Sequence, residues 1–390
     1  MGDTQAAPPW YPLALVDTVV DSASFAGGLP SPWGRLRGWD YTDALSPSWW
    51  SDLEEDRWGD WPADIKEVKV TGETRQGVVV DLDGRWTAHL FPFPTGQDIS
   101  SLVRYGPWAT TLQEAPLVLP VAGLVREERD LVVVFPRHEV ANQHEVVKDP
   151  FLLAAPLGTL HAALVEHSTP NTERRWNERL KSVEDGLKST TLWRAPHTRH
   201  VVGLPNVHLS LEGVLFRDGK VMFVPQPGPL VSALLCPDER LPGVAMAARL
   251  EQRLALMKAF ASEEDRERFY RIWGAPLPPT WTSAASISTV NGGVWIWRYE
   301  AMLHMLAEAR AYGLSAQAKR CDGWLLDVSR IQARLGELRT VHAVRKGGVY
   351  AAIAAALLGS GPLQIPFLTG ALVCSAAAHA LYRRRTPPPF

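Results

Sequence analysis

The segment 194–200 contains closely spaced histidine and arginine side chains that could bind a metal ion or an anion. His197 and His200 in "APHTRH" have a spacing that can suit a metal ion, and Arg194 and Arg199 lie beside them. Zinc sites combine Cys, His and carboxylate ligands, and no Cys or acidic residue accompanies this pair closely. Two interpretations stay open, a surface loop or a patch that binds an anion.

The three cysteines do not add to this candidate. Cys236, Cys321 and Cys374 are widely spaced and form no C-x-x-C pair, so neither a disulfide framework nor a zinc knuckle is predicted. The sequence also lacks a G-x-S-x-G elbow and an H-E-x-x-H helix. We therefore expect a reducing compartment, no bound metal and no cofactor.

Length and charge exclude several classes of protein. With 390 residues, 46% of them hydrophobic and 21% charged, the chain can bury a large core and is not disordered. Its formal net charge of −2 argues against nucleic acid as a partner, because phosphate contacts need clustered Lys and Arg. Residues 1–20 lack the basic start and apolar run of a signal peptide, so we expect the body in the cytoplasm.

The elements that must position any site fall into two groups. From 65 to 140 the pattern is that of short strands, with Asp83-Gly84 as a hairpin turn. From 141 to 346 helical spacing predominates, and Ser262 with Asp265 forms a capping box. The predicted helices cover 150–167, 171–189, 244–260, 262–273, 296–312 and 327–346. The sequence thus predicts an antiparallel sheet followed by a larger helical unit.

Residues 1–64 are rich in Trp, Pro, Gly and acidic residues and show no sustained period, which predicts an irregular arm. Trp49, Trp50, Trp58 and Trp61 could form a partner-binding surface, since Trp is common at binding hot spots. Packing against the rest of the chain is favoured, because large aromatic side chains are usually buried.

The segment 347–385 is the clearest physical anomaly. Its central part, 350–382, contains no Asp, Glu, Lys or Arg, whereas Arg345-Lys346 precede it and three arginines follow it at 383–385. Gly359, Gly361, Pro362 and Pro366 are predicted to break the run into two helices. Basic residues at both ends are typical of a hairpin that dips into or crosses a membrane and leaves both ends on the cytoplasmic side. Residues 386–390 form a short tail.

Two other arrangements stay open for this segment. One is a single tilted span over about 363–382, since about 20 apolar residues cross a bilayer. The other is an Ala-rich helical pair buried against the body or a neighbouring subunit. If the hairpin does enter lipid, the expected contacts are large apolar or aromatic side chains. They are Tyr350, Ile353, Leu357, Leu358, Phe367, Leu368, Leu372, Val373, Leu381 and Tyr382.

The stretch "NVHLSLEGVLF" at 206–216 connects the elements with a known family. It matches the segment H-G-D-L-H-P-G-N-V-L-F at Leu209, Val214, Leu215 and Phe216, and "RDGKVMFV" then supplies a turn and a strand. We expect the apolar residues of this stretch to pack into a lobe core; they are Leu209, Leu211, Val214, Leu215 and Phe216. With the helix "LGTLHAALVEH" at 157–167, the chain resembles the protein-kinase-like fold in its aminoglycoside-phosphotransferase branch over about 65–330. The resemblance implies an α+β protein with a small antiparallel β lobe, 65–140, and a larger helical lobe, 141–346.

The residues that would do phosphoryl transfer differ from the family pattern. His208 stands at the catalytic Asp position, Gly213 and Gln226 stand at the two metal-binding positions, and His89 stands where the family has a strand Lys. Phosphoryl transfer depends on such groups to position the substrates and to stabilise charge. The resemblance and the departures from the family pattern together predict a pseudokinase. They favour a protein without enzymatic activity over an enzyme.

Our leading hypothesis is a non-catalytic scaffold or regulatory subunit that binds protein partners and is tethered to the cytoplasmic face of a membrane through 347–385. One alternative is an atypical phosphotransferase that uses His208, Glu212 or Asp218. A second alternative is a membrane-active effector or a structural subunit of a larger assembly. A fully cytoplasmic protein is the alternative location.

Overall fold

The computed structural model describes residues 8–12, 29–31, 33–96, 98–104, 106–139, 143–170, 173–188, 202–235, 240–282, 293–359 and 361–385. The histidine and arginine candidates at 194–200, Cys236 and the tail 386–390 lie outside the described residues.

A six-stranded antiparallel sheet forms the smaller lobe, as predicted. Its strands lie in the order β3 (Arg57–Gly59), β7 (Ala122–Arg126), β8 (Arg129–Pro136), β6 (Trp86–Leu90), β5 (Val78–Leu82) and β4 (Val68–Glu73). Asp83 and Gly84, both with positive φ, make the β5–β6 turn. Alternate side chains of β5 (Val78, Val80 and Leu82) are buried, which is the pattern of a strand with one face on a core. The strands are β1 Leu29–Ser31, β2 Gly34–Leu36, β3 Arg57–Gly59, β4 Val68–Glu73, β5 Val78–Leu82, β6 Trp86–Leu90, β7 Ala122–Arg126 and β8 Arg129–Pro136.

The N-terminal arm is more regular than its sequence indicates. Strand β3 pairs with β7 at the edge of the sheet, with Trp58 opposite Gly123. Trp50 is fully buried and stacks on Trp61 with 5.0 Å between ring centroids. The Trp61 indole N–H donates to the Trp50 carbonyl at 2.9 Å. These tryptophans pack against the lobe, which is the interpretation favoured from the sequence.

Helices and short strands build the larger lobe. The predicted capping box is present, because the Asp265 amide donates to Ser262 Oγ at 3.2 Å and the Ser262 amide donates to Asp265 Oδ2 at 3.2 Å. The remaining strands are β9 Thr169–Pro170, β10 Val202–Pro205, β11 Val214–Arg217, β12 Lys220–Phe223 and β13 Arg240–Leu241. The helices are α1 Pro47–Asp52, α2 Ser101–Arg104, α3 Ala109–Leu112, α4 Gln143–Lys148, α5 Phe151–Ala163, α6 Glu173–Leu187, α7 Leu230–Leu235, α8 Gly243–Leu256, α9 Glu263–Gly274, α10 Pro279–Thr282, α11 Trp295–Ala311, α12 Ser315–Leu326, α13 Val328–Leu358 and α14 Gln364–Arg385.

Helix α11 is the axis of the larger lobe. Its described neighbours include α6, α7, α8 and α12, and nearly every side chain along it is buried, including Arg298, Glu300 and Glu308. A helix surrounded on all sides shows no polar face, and the sequence pattern alone did not indicate how deeply its charges lie. Helix α12 was not predicted, because Cys321 and Leu325 are its only fully buried residues.

Helices α13 and α14 form an antiparallel hairpin after the larger lobe. Helix α13 begins in the body, where Val328 and Leu335 join the core, and runs to Leu358 without a break at 346. Gly359 and residues 361–363 belong to the connection. Pro366 does not interrupt α14, contrary to our expectation, because it lies in the first helical turn, where proline is tolerated.

Small residues let the two helices approach closely. A Cβ added at Gly348 would lie 2.8 Å from the Ala371 carbonyl oxygen, and Ser375 Oγ donates to the Arg345 carbonyl at 2.8 Å. Near the tip, the Gln364 side-chain amide donates to the Ala355 carbonyl at 3.0 Å. The hairpin is thus one packed unit.

Most of the large apolar side chains of the hairpin point to its outside. Leu357 is 77% exposed and Leu358 is 84% exposed. Of the ten residues named above as membrane contacts, Leu368 and Tyr382 are half-buried and the others are exposed. By length and composition, the two helices could each cross a membrane, and little of their apolar windows is buried inside the protein.

Candidate functional site

The segment 206–224 follows strand β10. It contains a single 3-10 turn at Leu211–Gly213 and the β11–β12 hairpin. Asp218 and Gly219, both with positive φ, make the hairpin turn at its exposed tip. Leu211, Val214 and Leu215 are buried as expected. Phe216 is 41% exposed, which corrects the expectation that it packs into the core. Phe216 shares a face of the strand with Val214 but lies closer to the exposed turn at Asp218 and Gly219.

The fold brings three of the four sequence-predicted site positions together. The Gln226 amide donates to the His208 carbonyl at 2.9 Å, and the Val224 amide donates to the Gly213 carbonyl at 2.6 Å. A Cβ placed on Gly213 would lie 2.5 Å from the Val224 carbonyl oxygen and 3.0 Å from Gln226 Nε2. The volume that a longer side chain at 213 would need is therefore occupied by backbone.

His208 lies at the centre of this group as a neutral imidazole. Its Nε2 is 3.0 Å from Asn206 Nδ2. Burial lowers the pKa of His208 to about 4; Asp98 acts in the opposite direction, and Arg249 and Arg179 lower the pKa further. At neutral pH this position holds neither a carboxylate nor a cation.

Asp98 reaches the same place from the smaller lobe. Its Oδ2 accepts the Gly228 amide at 2.8 Å, and Thr95 Oγ1 donates to the Gly228 carbonyl at 3.2 Å. A Cβ on Gly228 would lie 3.0 Å from both Asp98 Oδ2 and His208 Nε2. The carboxylate thus fixes the 226–229 loop. Asp98 was not predicted as a site residue, because no spacing pattern in the sequence relates Asp98 to Gly228.

His89, the fourth position, lies in β6 against aromatic rings. Its ring centroid is 5.2 Å from that of Phe135 and 6.1 Å from that of His138. Burial lowers the pKa of His89 to about 3, and the nearby His138 acts in the same direction. A neutral, buried imidazole cannot serve as the permanent cation that a bound phosphate would need.

An apolar cluster joins the two lobes beside His89. The sheet side and its connecting segments contribute Phe91, Ile99, Val118, Val133 and Phe135, and the β11–β12 hairpin contributes Leu215 and Val224. The backbones are also joined, since the Val118 amide donates to the Phe223 carbonyl at 2.8 Å and the Phe223 amide donates to the Pro116 carbonyl at 3.0 Å. Apolar side chains and backbone hydrogen bonds thus join the two lobes at this point.

A cavity of about 60 Å³ lies on the helical side of His208. Asn206, Ser210, Gln226, Arg249 and His304 are among its lining residues. Gln76, from the β4–β5 turn, also lines it, and Arg75 reaches Gln317 of α12 at 3.5 Å. The turn thereby covers the cavity. Ser210 Oγ and Gln76 Oε1 are buried there with no hydrogen-bond partner among the described residues, so the space fits water or a small polar molecule.

Buried ion pairs lie behind this cavity. Arg298 pairs with Glu251 at 3.0 Å, with both side chains completely buried, and Arg266 also pairs with Glu251. Burial alone would raise the pKa of Glu251, but Arg266 and Arg298 hold it below its usual value.

Glu300 is the centre of a second buried group. It accepts Arg249 at 2.8 Å and Arg179 at 3.3 Å and lies 3.0 Å from His304 Nε2. Burial acts to raise the pKa of Glu300, and the surrounding Arg249, His304 and Arg179 hold it well below its usual range. Both groups tie α6, α8, α9 and α11 to one another. Each of the four arginines in these groups has a carboxylate partner within the lobe.

The described residues contain no group of three or more His, Cys, Asp and Glu side chains placed to hold a metal ion. Glu212 is half-buried with one carboxylate oxygen unpartnered, whereas Asp218 lies at the exposed hairpin tip. These two carboxylates belong to different environments and are not gathered around His208.

The order of lobes, the six-stranded antiparallel sheet of the first lobe and the many helices of the second decide the fold class. The fold is kinase-like. It has the α+β, two-lobed, aminoglycoside-phosphotransferase-like form predicted from the sequence, extended by the apolar C-terminal helix pair. No protein-family model and no curated protein matches the chain.

Solved structures of similar architecture include a glucosamine kinase in complex with glucosamine, ADP and inorganic phosphate, at 12% identity and TM-score 0.45, covering 76% of this chain and 84% of that one. The GDP complex of wild-type aminoglycoside 2'-phosphotransferase-IIIa matches at 12% identity and TM-score 0.44, covering 74% of this chain and 97% of that one. A thermostable mutant of aminoglycoside phosphotransferase APH(4)-Ia matches at 12% identity and TM-score 0.37, covering 69% and 96%. No residue role is carried over from them.

Proposed function

We propose that this protein is a pseudokinase scaffold or regulatory subunit that binds protein partners and is held at the cytoplasmic face of a membrane by the α13–α14 hairpin. The observation that carries the proposal is the meeting of His208, Gly213 and Gln226 at one point. An imidazole, a hydrogen atom and a carboxamide occupy the three places at which the family resemblance implies carboxylate and amide ligands. Function in such a fold must then reside in its surfaces.

Phosphoryl transfer depends on metal ions and cations that position the phosphates and neutralise their charge. Hard divalent metals select oxygen ligands, with carboxylates foremost. Here His208 is neutral, Gln226 is buried and donates to the Val224 carbonyl at 3.3 Å, and the backbone at 224 closes the position of Gly213. Restoring one ligand would therefore not restore a site.

The rival enzyme would use His208, Glu212 or Asp218. The small polar cavity beside His208 is the specific observation in its favour, because a polar acceptor could enter there. Against it, Asp218 is at an exposed turn and the His208 pKa of about 4 makes its imidazole a weak base. Incubation with labelled ATP or GTP, Mg²⁺ and a panel of amino-sugar acceptors tests this rival. We expect no product, whereas product formation that His208→Ala abolishes would establish it.

The hairpin supports the membrane part of the proposal. Its exposed leucines would otherwise face water, and large apolar side chains are exposed on both helices beside the tip, at Leu358 and Ile365. At about 1.5 Å per residue, 347–358 is about 18 Å long, which is less than the roughly 30 Å of a bilayer core. The antiparallel pairing also returns the chain to its starting level. We therefore favour a hairpin that dips into one leaflet over a full crossing or a single span.

Cysteine labelling tests the topology. In a full-length chain whose native cysteines are replaced, Lys346→Cys and Arg383→Cys should both react with a membrane-impermeant maleimide from the same side of sealed vesicles, and Leu358→Cys should react from neither side. Labelling of 346 and 383 from opposite sides would overturn the hairpin in favour of one span. Labelling of all three sites from one side would show that the tip is exposed to water and would overturn its insertion into the membrane.

Deletion of 347–390 separates the tether from the effector and subunit alternatives. The proposal predicts that the truncated body is found in the soluble fraction and still binds the partners of the full-length chain. If both chains fractionate alike, the tether is wrong. If the body alone binds no partner of the full-length chain, the hairpin itself is the active part, as the membrane-active effector or assembly alternative requires.

A further inference from the structure

The base of the hairpin, where 339–346 of α13 meets 375–384 of α14, combines positive charge with an open groove. Arg345 Nη1 is 3.3 Å from His379 Nδ1, and the Arg345 guanidinium lies 5.3 Å from the ring centroid of Tyr382. The groove has a volume of about 520 Å³, and Lys346, Tyr350 and Leu372 are among its lining residues. It is polar toward the body and apolar toward the tip.

Arg345 and Lys346 have no carboxylate in the sequence that follows them. Glu337 is the last acidic residue of the chain, and Arg345, Lys346 and the three arginines at 383–385 all follow it. No ion pair of Arg345 or Lys346 occurs among the described residues, in which the body's buried arginines are paired with Glu251, Glu300 or Glu308. An anion from outside the chain would complete this site.

The position of the groove selects the kind of anion. Its cations lie where the charged part of the hairpin ends, and Val349, Tyr350 and Leu372 line the next part toward the exposed apolar tip. A phosphate beside Arg345 and Lys346 would place an attached acyl chain along this apolar wall. Basic pockets between membrane-associated helices at the cytoplasmic surface are suited to anionic lipid headgroups.

We propose that this groove binds the headgroup phosphate of an anionic phospholipid, with Arg345 and Lys346 as its cationic contacts and Ser375 at its floor. The proposal rests on the membrane attachment proposed above and adds a lipid class to it. The long stems of Arg and Lys can lie along apolar surface while their charged ends stay at the headgroup level.

Vesicle flotation of the full-length protein tests the site. The vesicles contain phosphatidylcholine alone or phosphatidylcholine with a minority of phosphatidylglycerol. The wild-type chain should bind the anionic vesicles about tenfold more tightly, or better, than the neutral ones. Arg345→Gln with Lys346→Gln should remove most of this preference and leave binding to neutral vesicles unchanged, with circular dichroism used to check folding.

The matched control is Lys319→Gln with Arg330→Gln, which removes two exposed cations outside the groove and should keep the preference. Equal binding of the wild-type chain to both vesicles would overturn the lipid site and leave the hairpin tether standing. Retention of the preference by the groove variant would also overturn it. Failure to bind any vesicle would overturn the tether and the site together.

Discussion

The body and the hairpin place charge and hydrocarbon in opposite ways. The body buries Glu251 and Glu300 and pairs them with Arg298 and Arg249, while the hairpin exposes Leu357 and Leu358. Buried charges are tolerated only when paired, and extended apolar surface is retained only where something covers it. The difference indicates that the body is complete by itself, whereas the hairpin depends on its surroundings.

The largest expected effect follows from breaking the apolar side of this comparison. Leu357→Asp with Leu358→Asp places two charges at the hairpin tip, at a cost of about 3 kcal/mol each if the tip lies at bilayer depth. The variant should move from the membrane pellet to the soluble fraction. Leu326→Asp, at an exposed leucine of α12 outside the hairpin, is the control and should stay in the pellet. A tip variant that stays with the membrane would contradict the tether.

The next effect comes from breaking the charged side. Glu251→Gln leaves Arg298 and Arg266 with an uncompensated buried charge, so the free energy of unfolding should fall by about 3–5 kcal/mol. Urea denaturation measures it. Glu267→Gln removes the partner of the largely exposed Arg271 and should cost at most about 1 kcal/mol. Equal losses in the two variants would show that the buried network does not organise the lobe.

A smaller effect is expected at the centre of the kinase-like site. Gly213→Asn forces a side chain against the Val224 carbonyl, 2.5 Å from the new Cβ, and should cost about 1–3 kcal/mol of unfolding free energy. Gly323→Ala, on α12 with open space around it, should instead stabilise the chain by about 0.5–1 kcal/mol. An asparagine accommodated at 213 without loss of stability would remove the steric part of our account.

The last prediction concerns pH, and its effect is small within any one pH unit. The pKa of His89 is about 3 in the folded chain, against 6.5 when unfolded. The unfolded state therefore binds more protons between these values, and this stabilising contribution is complete above pH 6.5 and lost as the pH falls toward 3. The slope from one such group approaches about 1.4 kcal/mol per pH unit. His89→Leu should flatten the acid side of the stability curve by this amount in urea titrations at several pH values.

Asp130 acts in the other direction. Burial raises its pKa to about 6 from 3.8, against the hydrogen bonds from Ser100 and Ile99, so its contribution is complete below pH 3.8 and lost as the pH rises through 6.

Phe135→Leu, next to His89, is the matched control for His89→Leu. It should lower stability without changing the slope, and an unchanged slope in His89→Leu would contradict the buried, neutral imidazole.

Local patterns predicted what depends on neighbouring residues. The β5–β6 turn at Asp83-Gly84, the Ser262–Asp265 capping box and the helical break after Leu358 all follow from short-range chemistry and are present. The two-lobed fold followed from the resemblance around 206–224. Pro366 and Phe216 were predicted wrongly, because helix position and strand cover depend on the partner element.

The rest of the candidate site depends on contacts between distant parts of the chain. Asp98 meets Gly228 only because the two lobes join, and Glu300 meets Arg179 and Arg249 across three helices. No spacing in the sequence encodes such contacts. The closure of the Gly213 position by the Val224 backbone also required coordinates, although glycine at a ligand position was a visible signal.

Calorimetric titration of the full-length protein in lipid nanodiscs with ATP or GTP and Mg²⁺ tests the central claim most directly. We predict no saturable heat up to millimolar nucleotide, because His208, Gly213 and Gln226 stand where the resemblance implies carboxylate and amide ligands, and no group of three potential metal ligands occurs among the described residues. Saturable binding that disappears when Mg²⁺ is chelated would contradict the pseudokinase proposal and favour the phosphotransferase alternative.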